Sequence, residues 1–229
     1  KLGIGGLIQS ALAFLPAFLQ MLIGKLPKLI LQIDFTGNDL AKLSKKIEML
    51  RDKLKPFHLQ TRTAIDDSEK KYWLVRRESF NLLRHHVHNK QTAPFIDDVV
   101  VNPVDLPQFL PELNAVMNQY KITYTIAGHV GNGNFHIIPL MDLKDPDSVR
   151  IIKELSEKVY DLVLKFKGSI DGEHNDGLIR TPYLKQAFGE KVYGLFEETK
   201  RIFDPLNIFN PGKKVHGDLE YAFAHLKKS

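Results

Sequence analysis

Strand-like and helix-like segments alternate along residues 28–166, and this order limits the fold more than composition does. The helical segments repeat apolar residues three or four positions apart, whereas the strand segments are β-branched or alternate in polarity. Three strand–helix pairs are followed by two strands and a helix, which favours a sheet with helices on one face. The predicted strands are Lys28–Phe35, Phe57–Thr63, Phe95–Val101, Ile122–Ala127 and Asn134–Leu140; the predicted helices are Leu40–Leu54, Asp66–Leu83, Leu106–Tyr120 and Val149–Phe166.

The chain begins with an apolar stretch that carries no charged side chain between Lys1 and Lys25. It is long enough to cross a bilayer, but it contains four glycines, Pro16 and several polar residues. Three interpretations follow: a buried or interface helix, a helix on a membrane surface, and a true membrane span. We predict that residues 1–26 form an apolar connecting helix that needs a partner surface.

Composition excludes several classes of chemistry. The chain has no cysteine, which removes disulfides, thiolate catalysis, cysteine-ligated zinc and iron–sulfur ligation from it and suits a reducing cytoplasm. Its 32 Lys and Arg residues are scattered without an arginine-rich tract, so we predict no nucleic-acid partner. The net charge of +5 is compatible with anionic substrates, or with peripheral contact to the cytoplasmic face of a membrane.

The segment Gly128–His136, GHVGNGNFH, is the most informative for chemistry. Asn132-Gly133 is the favoured pair for a two-residue type I′ turn, because both positions need positive φ. That register would place His129 directly opposite His136, so both imidazoles would share one face of a hairpin and bind one metal ion. The alternative is a pair of ordinary surface histidines.

A second segment, Gly172–Gly177 or GEHNDG, puts a carboxylate and an imidazole next to each other. Adjacent residues of an extended backbone face opposite ways, so Glu173 can complete a His/His/Glu set while His174 faces a substrate or cofactor. Such a set suits zinc, manganese or iron. A neutral imidazole is also the best general base near pH 7.

Two adjacent arginines, Arg76 and Arg77, lie in a predicted helix. They point about 100° apart, so only one can face a given pocket. A guanidinium binds a carboxylate through two parallel hydrogen bonds, which makes either one a candidate for an acidic substrate. The alternative is that both solvate the helix or pair with neighbouring glutamates.

Three strings in order, GHVGNGNFH, GEHNDG and RIFDPLNIFNPGKKV, resemble the C-terminal half of the FAD-linked oxidases. This family includes the D-lactate dehydrogenase, glycolate oxidase flavin-subunit and D-2-hydroxyglutarate dehydrogenase types. The resemblance covers roughly residues 27–215. It implies an α+β fold, in which residues 27–171 form a ferredoxin-like cap with a mainly antiparallel sheet covered by helices. Residues 172–229 would form a mostly helical segment that closes on an FAD-binding domain located upstream in cis.

The resemblance also implies an activity and a set of roles. The activity is oxidation of a 2-hydroxy acid by hydride transfer to flavin. His129, His136 and Glu173 fall on the family's divalent-metal ligands, and His174 falls on the base that takes the hydroxyl proton. Arg76 falls on the arginine that binds the substrate carboxylate, with Arg77 as the alternative. In the family, a final NPGK run lies beside the flavin, and Asn210, Gly212 and Lys213 of this chain fall on it.

Two departures leave the substrate open. Ile138 stands where some members have asparagine, and a lysine that some members carry before the strand at Phe95 is missing. Asn175 replaces the commoner glycine, as in large members that carry an iron–sulfur module. An iron–sulfur module and a quinone are the candidate partners for electron transfer, and the choice of electron acceptor stays open.

We find no glycine-rich nucleotide fingerprint after a strand and therefore expect the chain alone to bind FAD weakly or not at all. The competing functions are a flavin-independent metallohydrolase, which would use the same metal set, and a non-catalytic remnant that binds a partner subunit. The metallohydrolase would need an open coordination position on the metal and a water nucleophile.

Overall fold

The computed structural model describes residues 29–64, 70, 72–73 and 90–226. The chain divides into two compact units, residues 1–81 and residues 82–229. The predicted apolar helix over residues 1–26 lies outside the described residues. So do Arg76 and Arg77, together with most of the predicted helix Asp66–Leu83.

The first unit contains one long helix in its described part, α1 (Leu40–Leu54), followed by a short 3-10 turn at Lys55–Phe57. Asp39 caps α1 by accepting a hydrogen bond from the Lys42 N–H at 3.1 Å, so the predicted helix and its start are confirmed. The strands predicted at Lys28–Phe35 and Phe57–Thr63 are wrong in their described residues, which contain no strand there.

The second unit contains a four-stranded antiparallel sheet and the helices that pack with it. The long strand β4 is central: β3 pairs along one edge, while β2 and β1 pair end to end along the other. The elements of this part are β1 (Gln91–Thr92), β2 (Val99–Val100), α2 (Leu106–Met117), β3 (Thr123–His129), β4 (Asn134–Met141) and α3 (Ser148–Lys165).

The connectivity from β2 onward matches the expected ferredoxin-like cap. The chain runs β2–α2–β3–β4–α3 and then returns to the sheet, where Ser169 forms an antiparallel bridge with Val100 of β2. The order across the sheet is therefore Ser169, β2, β4, β3, with every neighbouring pair antiparallel. The predicted α+β class with a mainly antiparallel sheet is confirmed.

The core lies between the sheet and two amphipathic helices. α2 buries Leu106, Phe109, Leu113 and Met117, and α3 buries Ile152, Leu155, Val159 and Val163, both at spacings of three and four residues. This periodicity explains why both helices are found close to their predicted bounds. The Tyr160 hydroxyl donates to the backbone carbonyl of Phe95 at 2.6 Å, which joins α3 to the segment before β2.

The predicted strand Phe95–Val101 shrinks to Val99–Val100, because the chain turns before it. Asp98 adopts a positive φ of 67°, which extended strands exclude. Its side chain is fully buried, with 0% exposure. This turn, rather than a longer strand, carries the acidic pair Asp97-Asp98 into the interior.

The C-terminal part is mostly helical, as predicted. It contains α4 (Gly177–Arg180), α5 (Leu184–Phe203), interrupted by non-helical backbone at Gly189, and α6 (Leu219–Ala224). Across the part of the chain that is described, no helix combines the length and the apolar character needed to cross a membrane.

Candidate active site

The loop between β3 and β4 differs from the predicted two-residue turn. Residues Val130–Asn132 form a 3-10 turn that Gly133 closes with a φ of 69°, so the connection has four residues. His129 pairs with Asn134, and His136 lies opposite Ala127 rather than opposite His129. The type I′ prediction is wrong because the Val101 N–H binds the Gly133 carbonyl at 3.0 Å, which ties the loop to the end of β2.

The two histidines nevertheless share one face of the sheet. Changing the register by two residues leaves side-chain direction unchanged, because strand side chains alternate with a period of two. His129 and His136 are therefore diagonal neighbours, and their ring centroids are 5.7 Å apart. A register shift of one residue would instead have placed the two histidines on opposite faces of the sheet.

Glu173 lies between the two imidazoles. Its Oε1 atom is 3.3 Å from Nε2 of His129 and 3.6 Å from Nε2 of His136. One ligand atom from each of the three residues falls within 4.8 Å of the others. The structure thus brings together the three residues predicted as metal ligands, although they come from two strands and a distant loop.

These distances fit a small divalent ion. Zinc bonds of about 2.0–2.2 Å to nitrogen and oxygen in tetrahedral geometry separate neighbouring ligand atoms by about 3.3–3.6 Å. Two imidazoles and one carboxylate form the donor set that zinc, manganese and iron accept. Because a hydrogen bond from a protonated imidazole fits the 3.3 Å separation equally well, metal binding stays a prediction.

His174 lies beside this trio. Its ring stacks on that of His136 with centroids 4.9 Å apart and planes inclined by 13°. Its Nδ1 atom is 3.3 Å from Oδ2 of Asp97, and about half of its side chain is exposed. The predicted base is therefore accessible and adjacent to the predicted ligands.

Asp98 fixes the loop that carries Glu173 and His174. Its Oδ2 atom accepts the backbone N–H groups of Gly172, Glu173 and His174 at 3.0, 2.8 and 2.7 Å. Its Oδ1 atom accepts from the Asn134 amide at 2.8 Å. Burial raises the pKa of Asp98, but these hydrogen bonds outweigh burial and hold the pKa well below its usual value.

Gly172 is required by the closeness of this approach. A Cβ atom at this position would lie 2.7 Å from the Asn134 side-chain nitrogen and 3.0 Å from the Asp98 carboxylate. Any larger residue would therefore push the loop away from the aspartate that holds it.

A buried arginine joins the same two segments from another side. Arg180 donates to the carbonyl of Asp97 at 2.7 Å and to the carbonyl of Asn175 at 2.9 Å. It is only 5% exposed. The guanidinium therefore links the backbone beside β2 to the backbone that follows His174.

The charge around His136 favours its protonated form. The hydrogen bond from Nδ1 to Asp97 at 3.0 Å raises the pKa of His136, partial burial lowers it, and the charges of Asp97, Asp98 and Glu173 raise it further, so the net direction is upward. The ring is thus held in a strongly anionic environment, as expected where a cation is to be bound.

The predicted flavin-contacting residues lie in the C-terminal loop. Asn210 and Gly212 both have positive φ, and the Lys213 N–H closes a turn onto the Asn210 carbonyl at 3.2 Å. The adjacent Lys214 ties this turn to the GEHNDG segment: its N–H donates to Thr181 at 2.9 Å, and its ammonium pairs with Asp176. The second and third of the resembling strings are therefore in contact.

Sequence reasoning missed four residues that shape the site: Asp97, Asp98, Asn134 and Arg180. A local signal existed for the two aspartates, since they interrupt an apolar run from Phe95 to Val101. Carboxylates inside such a run are seldom buried without partners. The identity of those partners, more than thirty residues away, left no local trace.

A comparison with protein families decides the affiliation. The model of the C-terminal domain of FAD linked oxidases matches residues 14–214. The chain belongs to this family. The domain is 29% identical over 191 residues to a D-2-hydroxyglutarate dehydrogenase from Pseudomonas putida, which covers 79% of the chain and 18% of the relative.

Two other relatives carry different names. A probable mitochondrial D-lactate dehydrogenase from Danio rerio is 36% identical over 116 residues, which covers 51% of this chain and 23% of the relative. The glycolate oxidase subunit GlcD of Escherichia coli is 25% identical over 202 residues, which covers 86% of this chain and 39% of the relative. The domain thus spans well under half the length of each of these relatives.

Proposed function

We propose that this domain forms the substrate-binding and proton-accepting part of an FAD-dependent oxidoreductase that oxidises a 2-hydroxy acid. The relatives named above are called dehydrogenases or oxidases of 2-hydroxyglutarate, lactate or glycolate. The observation that carries the proposal is the convergence of His129 and His136 on one oxygen of Glu173, with His174 stacked beside them.

Oxidation of a 2-hydroxy acid removes a hydride from the α-carbon and a proton from the hydroxyl oxygen. We assign the proton to His174 because its imidazole is accessible, and imidazole is the side-chain group most often used as a general base. His129, His136 and Glu173 would hold a divalent ion of the zinc, manganese or iron type. When bound, that ion supplies polarisation of the substrate oxygens, and FAD supplies the hydride acceptor.

The carboxylate of the substrate needs a separate anchor. Arg76, with Arg77 as the alternative, is the proposed anchor on the basis of sequence, since a guanidinium binds a carboxylate through two parallel hydrogen bonds. Asn210, Gly212 and Lys213 are the proposed contacts to the flavin. We propose further that residues 27–171 form the cap. Residues 172–229 would close on an FAD-binding domain encoded upstream in cis. The proposed location of the protein is the cytoplasm.

The test is oxidation of D-2-hydroxyglutarate, D-lactate and glycolate with an artificial electron acceptor, by the domain joined to its FAD-binding domain. At least one acid should be oxidised. The His174→Gln variant should lose about 10²- to 10⁴-fold in kcat, as expected for removal of a general base. Oxidation that survives this substitution unchanged would contradict the assigned role.

The same preparations distinguish the competing functions. A metallohydrolase would cleave an ester or a phosphate when loaded with metal and supplied with no flavin. A non-catalytic binding domain would fail in both assays and would not bind metal through His129, His136 and Glu173. Either pattern would overturn the proposal.

A further inference from the structure

One carboxylate contacts both histidines that the proposed function uses. Asp97 Oδ1 is 3.0 Å from Nδ1 of His136, and Asp97 Oδ2 is 3.3 Å from Nδ1 of His174. The Asp97 side chain is 9% exposed, whereas that of His174 is 47% exposed. The two rings lie nearly parallel, so a single buried group faces the same nitrogen atom of each.

This contact determines which ring nitrogens carry hydrogen. An ionised carboxylate only accepts hydrogen bonds, so Nδ1 of a neutral His136 must be the donor in its hydrogen bond to Asp97. The charge of the same carboxylate, 3.3 Å from Nδ1 of His174, favours a hydrogen on that nitrogen as well. The lone pair is then left on Nε2. For His136, Nε2 is the atom that faces Glu173. For His174, it is the atom left to accept a proton. An imidazole as exposed as His174 would otherwise exchange between its two tautomers in water.

Asp97 is itself held in place. Its backbone carbonyl accepts from Arg180, and the next residue, Asp98, binds the amides of residues 172–174. Because these contacts are made by the Arg180 guanidinium and by Asp98, the Asp97 side chain is not needed to hold the loop. Its carboxylate can therefore be changed without removing the bonds that build the site.

We propose that Asp97 is a positioning residue that fixes His136 and His174 together in the Nδ1–H tautomer, so that both Nε2 atoms carry their lone pairs. Its consequence for catalysis rests on the proposed function. Its consequence for metal affinity rests on the proposed metal site, and only its consequence for the tautomers is independent of both. The substitution does not change the proposed carboxylate anchor, Arg76 or Arg77, so loss of Asp97 should act on kcat more than on KM.

The direct test is nuclear magnetic resonance of the metal-free chain labelled with ¹⁵N-histidine. The pH is raised until the ring signals no longer shift, so that both imidazoles are neutral despite the raised pKa of His136, and long-range proton–nitrogen correlations then report the tautomer of each ring. We expect Nδ1–H at positions 136 and 174 in the wild type, and a change toward Nε2–H at one or both in Asp97→Asn. Asp105→Asn, a control aspartate eight residues further along the chain, should leave both spectra unchanged.

Metal binding provides a second measurement. Loss of a carboxylate behind a metal-bound histidine weakens metal affinity by about 10- to 100-fold. Calorimetric titration with Zn²⁺ should therefore show one ion per chain in the wild type and one weaker ion in Asp97→Asn. Asp97, His136 and His174 could alternatively ligate an ion of their own, since their ligand atoms also lie within 4.8 Å of one another. Two ions in the wild type and one in the variant would overturn the positioning role.

The outcomes separate the two proposals. If no hydroxy acid is oxidised but the tautomers change as described, the proposed function fails and the positioning role stands. If oxidation occurs but Asp97→Asn keeps its kcat, its tautomers and its metal affinity, the positioning role fails alone. Nε2–H at either ring of the wild type refutes it without any variant, so the test does not depend on the variant folding.

Discussion

Replacing Asp98 by asparagine should destabilise the second unit by about 3 kcal/mol. Three backbone N–H groups donate to one oxygen of this fully buried carboxylate. An asparagine oxygen can occupy the same place, so the three bonds remain but lose their charge. Charge-assisted hydrogen bonds are about twice as strong as neutral ones, which corresponds to a loss of about 1 kcal/mol for each bond.

The fourth bond should not add much to this loss. Asn134 now donates to Asp98, and within the described residues its own oxygen has no hydrogen-bond partner. Turning the Asn134 amide over would let that oxygen accept from the new amide at position 98. The substitution therefore removes the charge while these four bonds can be kept, and the contact that it changes besides them is the hydrogen bond with Asp171.

The assay is urea unfolding followed by circular dichroism. Asp98→Asn should lower the free energy of unfolding by about 3 kcal/mol with an unchanged slope in urea. Asp161→Asn is the matched control, since the exposed Asp161 side chain forms, within the described residues, one hydrogen bond, which it accepts from Gln186; this substitution should cost at most about 0.5 kcal/mol. A loss below about 1 kcal/mol for Asp98→Asn would refute the reasoning.

Acid provides an independent check of the same carboxylate. The pKa of Asp98 in the folded state lies well below the ordinary value of about 3.9, so the unfolded chain takes up a proton first as the pH falls. The stability that Asp98 contributes is therefore complete above about pH 5 and is lost progressively below about pH 4. The difference between wild type and Asp98→Asn should shrink in that acidic range. A difference that stays constant down to pH 2 would contradict the lowered pKa.

Three further outcomes are expected. Gly172→Ala should reduce zinc affinity at least about tenfold, because its Cβ would lie 2.7 Å from the Asn134 side chain and displace the loop that carries Glu173; calorimetry measures this. Tyr160→Phe should lower the unfolding free energy by about 1–2 kcal/mol, because it leaves the buried Phe95 carbonyl without its donor; urea unfolding measures this. The purified 229-residue chain should show no flavin absorbance near 450 nm after incubation with FAD and gel filtration, and retention of one FAD per chain would contradict the sequence-based expectation.

The parts of the fold that could be predicted are those whose burial follows a local period. Helices α2 and α3 each bury residues at spacings of three and four, and strands β3 and β4 flank a glycine-containing turn, so their positions are visible in sequence. The segment at residues 29–35 misled the prediction. Leu29, Ile30 and Leu31 are apolar but exposed, so their pattern does not mark a buried strand face.

The candidate site likewise contains residues that local sequence patterns predict and residues that they do not. The register of the hairpin was predicted wrongly, yet the shared face of His129 and His136 was correct, because an error of two residues preserves side-chain direction. Asp97 and Asp98 were missed because their partners lie far along the chain, with Asp98 and His174 separated by 76 residues. Contacts across such a separation are set by the packing of β2 against the return segment after α3, which no local pattern encodes.

The rigidity of this site follows from where its contacts lie. Glu173 and His174 are exposed on a loop, a place where side chains ordinarily lose conformational entropy on binding. Here the loop backbone is fixed by Asp98 and Arg180, both buried, and the rings of His136 and His174 are held by Asp97. The backbone that carries Glu173 and His174 is therefore held by contacts within the protein, so binding at the proposed site would spend little free energy on ordering it. An arrangement of this kind also explains how a loop can hold the proposed proton acceptor, His174, at a fixed distance from its neighbours, since the precision comes from buried groups rather than from the loop itself.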